Sequence, residues 1–139
     1  VTFVVAALDA VRFRWSVIPG AAEAAAWLGA VAASALIFWA AITNTFLSRM
    51  ARIQDERGHS VVSSGPYGLV RHPMYAGIIL LFLCLPVALG SAWALVPGSA
   101  IALLYIVRTS KEDCMLRREL PGYAEYTQRV RHRLVPGIW

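Results

Sequence analysis

The chain has 139 residues, of which 58% are apolar and 15% charged, where a soluble domain carries roughly 45–50% and about 25%. That balance excludes a disordered tail and argues against a water-soluble globule. The formal net charge of +5 raises the question of a nucleic-acid binder. Residues 24–48 and 73–107, however, contain no Asp, Glu, Lys or Arg, which is the pattern of helices in lipid and not of a groove for phosphates. The expected fold class is therefore an all-α integral membrane helical protein, one domain over residues 1–139. It should hold one long transmembrane helix, a transmembrane helical hairpin and short C-terminal cytoplasmic amphipathic helices.

In chain order, residues 1–20 carry Arg12 and Arg14 and an apolar part too short to span, which suits a connecting or interfacial piece. The chain begins at Val1 with neither an initiator Met nor a signal-peptide pattern, and the expectation is a fragment lacking earlier membrane helices. Residues 24–48 make a helix of about 37 Å, enough to cross a hydrocarbon core of about 30 Å with some tilt. Its small side chains (Ala24, Ala25, Ala26, Gly29, Ala30, Ala32, Ala33, Ser34) permit close helix approach in lipid. Residues 73–107 are too long for one crossing. The Gly90-Ser91 break, with Pro86 before it and Pro97-Gly98 after it, turns them into a hairpin whose ends share one side of the membrane. Residues 47–72 and 108–139 flank these spans and hold every Lys and Arg except Arg12 and Arg14. By the positive-inside tendency that side is cytoplasmic. Ser110 and Asp113 have the form of an N-terminal cap for a helix closed by Pro121-Gly122. A second short helix is expected from Tyr123 to about Arg133.

The residues able to carry chemistry gather on this side. Cys84 and Cys114 read as free thiols, and His59, His72 and His132 lack metal-ligand spacing. The run from Gly65 through Pro66, Tyr67, Arg71, His72, Pro73, Met74, Tyr75 and Gly77 leads straight into the hairpin. Pro73 fits the first turn of a helix, with the N–H groups of Met74, Tyr75 and Ala76 pointing out of its start. Arg71 and His72 beside such a start suit a carboxylate or phosphate. An interfacial anchor, Arg and Tyr among the headgroups with Pro and Gly as helix punctuation, explains the same residues equally well. Glu112 and Asp113, adjacent just past the last span, either cap a helix and offset its dipole or receive a cationic or hydroxyl-bearing ligand. His59 to Val62 form a short extended strip between two polar turns.

Taken together, Gly65-Pro66-Tyr67, Arg71-His72-Pro73-x-Tyr75-x-Gly77, Glu112-Asp113-x-x-Leu116 and Gly122-Tyr123-Ala124-Glu125-Tyr126, with Val130 and Pro136, resemble the isoprenylcysteine carboxyl methyltransferases. The resemblance covers residues 48–139. It implies the catalytic portion of a multi-helix membrane enzyme that binds S-adenosylmethionine at the cytoplasmic face; no Gly-rich dinucleotide fingerprint is present. Position by position it implies cofactor contacts from His59, Val62, Tyr67, His72, Pro73, Met74, Tyr75, Gly77, Glu112 and Asp113. Arg71 or Arg108 would meet the acceptor's carboxylate. The family usually shows Glu-Glu where this chain has Glu112-Asp113. A carboxylate acceptor is already ionised at pH 7 and needs no general base, so the absence of a nucleophile–base pair is compatible with methyl transfer. The expected partners are a lipophilic or prenylated acceptor and membrane lipid, not nucleic acid.

Three other readings have distinct signatures. A phospholipid N-methyltransferase would present an amine acceptor. Sterol reductases carry a similar His-Pro-x-Tyr element and would take NADPH. A non-catalytic module binding anionic lipid would depend on the number of arginines and not on His72 or Glu112.

Overall fold

The structure is a computed structural model and describes residues 1–44 and 61–139. The His59 expectation lies outside the described residues. Among them all regular structure is helical: α1 (Thr2–Ala6) running into a π-helical stretch (Ala7–Phe13), α2 (Gly20–Thr43), a 3₁₀ turn (Gly65–Gly68), α3 (Pro73–Ala88), α4 (Leu95–Glu119) and α5 (Tyr123–Arg129). By their contacts they form two compact units, Val1–Ala35 with Gly77–Tyr105, and Leu36–Ala76 with Ile106–Trp139.

The first unit is built on small residues. Ala26, Ala30 and Ala33 of α2 and Ala94 and Ala102 beside and within α4 are buried, while Trp27, Leu28, Val31, Leu103 and Leu104 are exposed. A soluble domain buries its large apolar side chains; here they face outward and alanines face inward, as expected where lipid is the solvent and packing drives association. Close approach follows. A Cβ on Gly29 would stand 2.7 Å from the Cys84 Sγ, and one on Gly98 would stand 2.5 Å from the Phe82 carbonyl oxygen. Helix α2, at 24 residues, is long and apolar enough to cross a membrane. Helix α3, at 16 residues, reaches about 24 Å and falls short of a full hydrocarbon core.

The turn between α3 and α4 lies where Gly90 and Ser91 predict it, with Gly90 at φ 74°. It is tied to the N-terminal segment by the fully buried Asp9 carboxylate. That carboxylate accepts the Ser16 and Trp93 N–H groups at 2.8 and 3.2 Å, the Ser91 hydroxyl at 2.5 Å and the Ser16 hydroxyl. The helical turns of residues 2–13 are thus clamped to the hairpin tip through Asp9.

Helix boundaries depart from the charge pattern in three places. Helix α2 starts at Gly20, ahead of the charge-free run, because Glu23 in its first turn is favoured by the helix dipole. Helix α4 runs unbroken through Arg108 and Ser110 to Glu119, so Ser110 caps nothing and the expected change of element at residue 108 does not occur. No Gly or Pro interrupts residues 99–119, and a Ser-x-x-acid pattern alone does not stop a helix already under way. The last helix ends at Arg129, and Val130 is extended (φ −107°, ψ 92°), where the carbonyls of residues 130–133 turn to other partners.

Those partners belong to the second unit. The Arg71 and His72 N–H groups donate to the His132 and Arg133 carbonyls at 2.9 Å each, joining the approach to α3 with the stretch after α5. Leu120, Tyr123, Tyr126 and Val130 make a small apolar core against Val61 and Leu116. The Tyr126 hydroxyl donates to the Tyr67 carbonyl at 2.6 Å, fixing the 3₁₀ turn over that core.

Candidate functional site

Two polar centres occupy the second unit. The inner one is built around Asp113, whose side chain is 0% exposed beside an Arg71 side chain at 3%. Arg71 Nε donates to Asp113 Oδ1 at 2.8 Å and Nη2 to Oδ2 at 3.3 Å. Its Nη1 donates to the Val130 and Arg131 carbonyls at 2.8 Å each. Arg133 and Arg117 each place Nε on Asp113 Oδ2, at 3.1 and 3.2 Å, and the Tyr123 hydroxyl donates to Oδ1 at 3.1 Å. His72 Nε2 stands 3.5 Å from Oδ1 and 3.4 Å from the Tyr123 oxygen.

The electrostatics follow from this crowd. Burial alone would raise the Asp113 pKa, but hydrogen bonds from His72 and Arg71 and the Arg71 charge hold its carboxyl well below the usual range. Burial, then the Asp113 charge, pushes the Tyr123 hydroxyl up, and burial likewise raises Tyr67 and Tyr126. All three tyrosines therefore remain proton donors at neutral pH.

The outer centre is formed by Tyr75, Arg108 and Glu112. The Tyr75 hydroxyl donates to Glu112 Oε2 at 2.7 Å and accepts from Arg108 Nε at 3.0 Å. The guanidinium carbon lies 5.5 Å from the Tyr75 ring centroid, within cation–π range. Arg108 and Glu112, one turn apart on α4, stand 3.9 Å apart with side chains 38% and 20% exposed. One cation and one anion are thus held side by side, both fixed by a buried tyrosine. The His72 and Tyr75 rings stack at 5.8 Å with 4° between planes, which links the two centres across the first turn of α3.

The structure thus brings together His72, Tyr75, Arg108, Glu112 and Asp113, with buried Pro73 and half-buried Met74 between them at the helix start. The Ala76 N–H, expected to point out of that start, instead donates to the His72 carbonyl at 3.1 Å. Tyr67 is buried under Tyr126, Val62 is half-buried in the strip before the 3₁₀ turn, and Gly77 lies on the following turn of α3. Arg71 and Asp113, expected to meet ligands, are engaged with the protein's own groups and hidden. Arg117, Arg133, Tyr123 and Tyr126, to which the sequence pattern assigns no ligand role, complete the framework. Arg117 was detectable as the i+4 partner of Asp113, and Tyr123 and Tyr126 as a helical i, i+3 pair. Among the described residues no group of three or more His, Cys, Asp or Glu side chains is placed to hold a metal.

The family model for phospholipid methyltransferase matches residues 20–120. The cobalt-zinc-cadmium resistance protein CzcN of Cupriavidus metallidurans is 37% identical over 79 residues, covering 56% of this chain and 37% of that protein. The Delta(14)-sterol reductase of Methylotuvimicrobium alcaliphilum is 30% identical over 90 residues, covering 63% of this chain and 21% of the reductase. The chain thus spans well under half the length of either relative. The family match takes in α2, α3, α4, the outer centre and Arg71, His72, Asp113 and Arg117 of the inner one, and the chain belongs to the phospholipid methyltransferase family of membrane methyltransferases.

Proposed function

We propose that this chain transfers a methyl group from S-adenosylmethionine to a lipophilic acceptor, a carboxylate of the prenylcysteine kind, at the cytoplasmic face of a multi-pass membrane protein. The observation that carries the reading is the outer centre: a half-exposed guanidinium and carboxylate 3.9 Å apart, both fixed by the Tyr75 hydroxyl. The carboxylate fits the cofactor's chemistry, since the cofactor carries an ammonium and ribose hydroxyls, and the guanidinium fits an acceptor carboxylate. When bound, S-adenosylmethionine supplies an electrophilic methyl on a sulfonium.

The chain's own residues then have three tasks. Glu112 receives an ammonium or hydroxyl of the cofactor, and His72, Pro73 and Met74 wall the start of α3 beside it. Arg108 would orient the acceptor carboxylate, which is already ionised and needs no general base to take the methyl as its bond to the sulfonium sulfur breaks. Alignment and exclusion of water account for the remaining rate. Arg71 and Asp113 act as positioning residues: the Arg71 guanidinium donates to the Asp113 carboxylate and to the Val130 and Arg131 carbonyls of the chain itself. The cytoplasmic placement rests on the concentration of arginines in residues 108–139.

A second reading, a reductase taking NADPH, is favoured by the likeness to the sterol reductase over 90 residues. Calorimetry on the detergent-solubilised chain separates the two. S-Adenosylhomocysteine is expected to bind and NADPH to give no heat, and Glu112→Gln should weaken S-adenosylhomocysteine by roughly 10- to 100-fold, the worth of one hydrogen bond to a charged group. NADPH binding without S-adenosylhomocysteine binding would overturn the proposal.

A further inference from the structure

We propose that residues 129–139 dock on an anionic membrane surface, and that this docking steadies the two polar centres behind them. Between Arg117 and Arg133 the chain holds five arginines against Glu119 and Glu125. Along the final stretch the side chains divide. Val130 and Leu134 are buried, whereas Arg129 and Arg131 are exposed, followed by exposed Val135 and Ile138. The Arg133 guanidinium carbon lies 5.0 Å from the Trp139 ring centroid, and the Arg133, Leu134 and Val135 N–H groups all donate to the Trp139 carbonyl at 2.9–3.1 Å. The tail is thus curled so that basic, aromatic and aliphatic groups appear on one short loop.

That combination selects the partner. Arginines alone would suit any polyanion, but exposed Val135, Ile138 and a half-exposed Trp139 add the apolar contacts of an interfacial anchor, with guanidinium groups at headgroup phosphates. The same unit carries the end of α2, where Phe38, Trp39 and Ile42 are exposed. A Cβ on Gly65 would stand 3.1 Å from the Thr43 Oγ1, so the 3₁₀ turn packs directly on that end of the apolar helix. The basic loop therefore belongs to the same unit as the last turns of a membrane-length helix.

Its link to the site is direct. The His132 and Arg133 carbonyls accept the Arg71 and His72 N–H groups, the Val130 and Arg131 carbonyls hold Arg71 Nη1, and Arg133 Nε holds Asp113. A stretch of turns with few buried side chains opens locally at low cost; holding it on lipid would keep His72 and the start of α3 in place. This consequence for the site rests on the methyl-transfer reading, whereas the docking does not.

The test is hydrogen exchange of the amides of residues 130–139, on the full chain in nanodiscs of phosphatidylcholine alone or with roughly 30% phosphatidylglycerol. Exchange is expected to be slower in the anionic discs. That gain should fall by roughly fivefold for each of Arg129→Gln and Arg131→Gln, persist with Arg129→Lys and Arg131→Lys, and shrink with Ile138→Ser. Equal exchange in both discs would overturn the proposal. So would inorganic phosphate reproducing the protection in phosphatidylcholine discs, which marks a small-anion site, or an Ile138→Ser variant with undiminished protection. In the same discs S-adenosylhomocysteine should bind more tightly when anionic lipid is present. Failure to bind in either disc would sink the methyl-transfer reading and leave the docking result standing.

Discussion

Replacing Asp113 with Asn should be the most damaging single isosteric change in the second unit. The carboxylate is fully buried and faces Arg71, Arg117, Arg133, Tyr123 and His72. Removing one member of a buried ion pair typically costs about 3–5 kcal/mol, because the remaining charge is left uncompensated. Arg71, with its side chain 3% exposed, bears that cost, softened by the two carbonyls on its Nη1. Arg133 and Arg117, with side chains 28% and 45% exposed, find water instead and add at most about 0.5 kcal/mol each. The expected total is about 4 kcal/mol, or a fall in melting temperature of about 10–15 °C for a chain of this size. Thermal unfolding in detergent, followed by tryptophan fluorescence, measures it. A paired Arg71→Met and Asp113→Leu variant removes both charges and should recover much of the loss. If Asp113→Asn melts within about 3 °C of the parent, or the paired variant melts below the single one, the framework role assigned to Asp113 is wrong.

Three further outcomes follow from particular contacts. Tyr75→Phe removes the hydroxyl that joins Arg108 to Glu112 and should weaken S-adenosylhomocysteine about tenfold by calorimetry while shifting the melting temperature little. Gly98→Leu drives a side chain into the Phe82 carbonyl, 2.5 Å from the Cβ position, and should cost about 1–3 kcal/mol in a melting experiment, with binding affected only through stability. The Asp113 pKa is lowered in the fold, so its ionised form stabilises the protein above the unfolded-state value of about 4, and the contribution is lost as pH falls through the lowered pKa. Melting temperature should therefore hold from pH 7 to about 5 and drop below about 4, and Asp113→Asn should flatten that acid limb.

Much of the helical plan is legible in the sequence, because lipid imposes a simple rule: charge leaves the spans and Gly or Pro marks the turns. Gly90 illustrates it, since the hairpin tip needs a positive φ that glycine adopts without strain. Boundaries were less legible. Glu23 sits inside α2 and Arg108 inside α4, since a helix tolerates charge at either end of its apolar part. The site was visible as residue types but not as partnerships. Arg71 and Asp113 are 42 positions apart, and only tertiary contact reveals that they neutralise one another; nothing in an Arg-His-Pro run says which of its polar side chains turns inward.

The Glu112-Asp113 pair shows why that inward turn matters. On a helix consecutive residues point about 100° apart, whereas residues three or four apart share a face. The two adjacent acids therefore face different neighbours here. Arg108 and Glu112 fall on one stripe of α4, where Tyr75 meets them; Thr109, Asp113, Leu116 and Leu120 fall on the next. Thr109, Asp113 and Leu120 are buried, and Leu116 packs against the tyrosine core. Identical charge is thus put to two uses by a single step along the helix. Glu112, one methylene longer and half-exposed, reaches the hydroxyl of Tyr75 at the edge. Asp113, shorter and enclosed, gathers the arginines that hold the approach to α3 against the C-terminal stretch. The two acids are joined through one peptide bond, so under the proposed reading a change at Asp113 should displace Glu112 without any contact between their side chains.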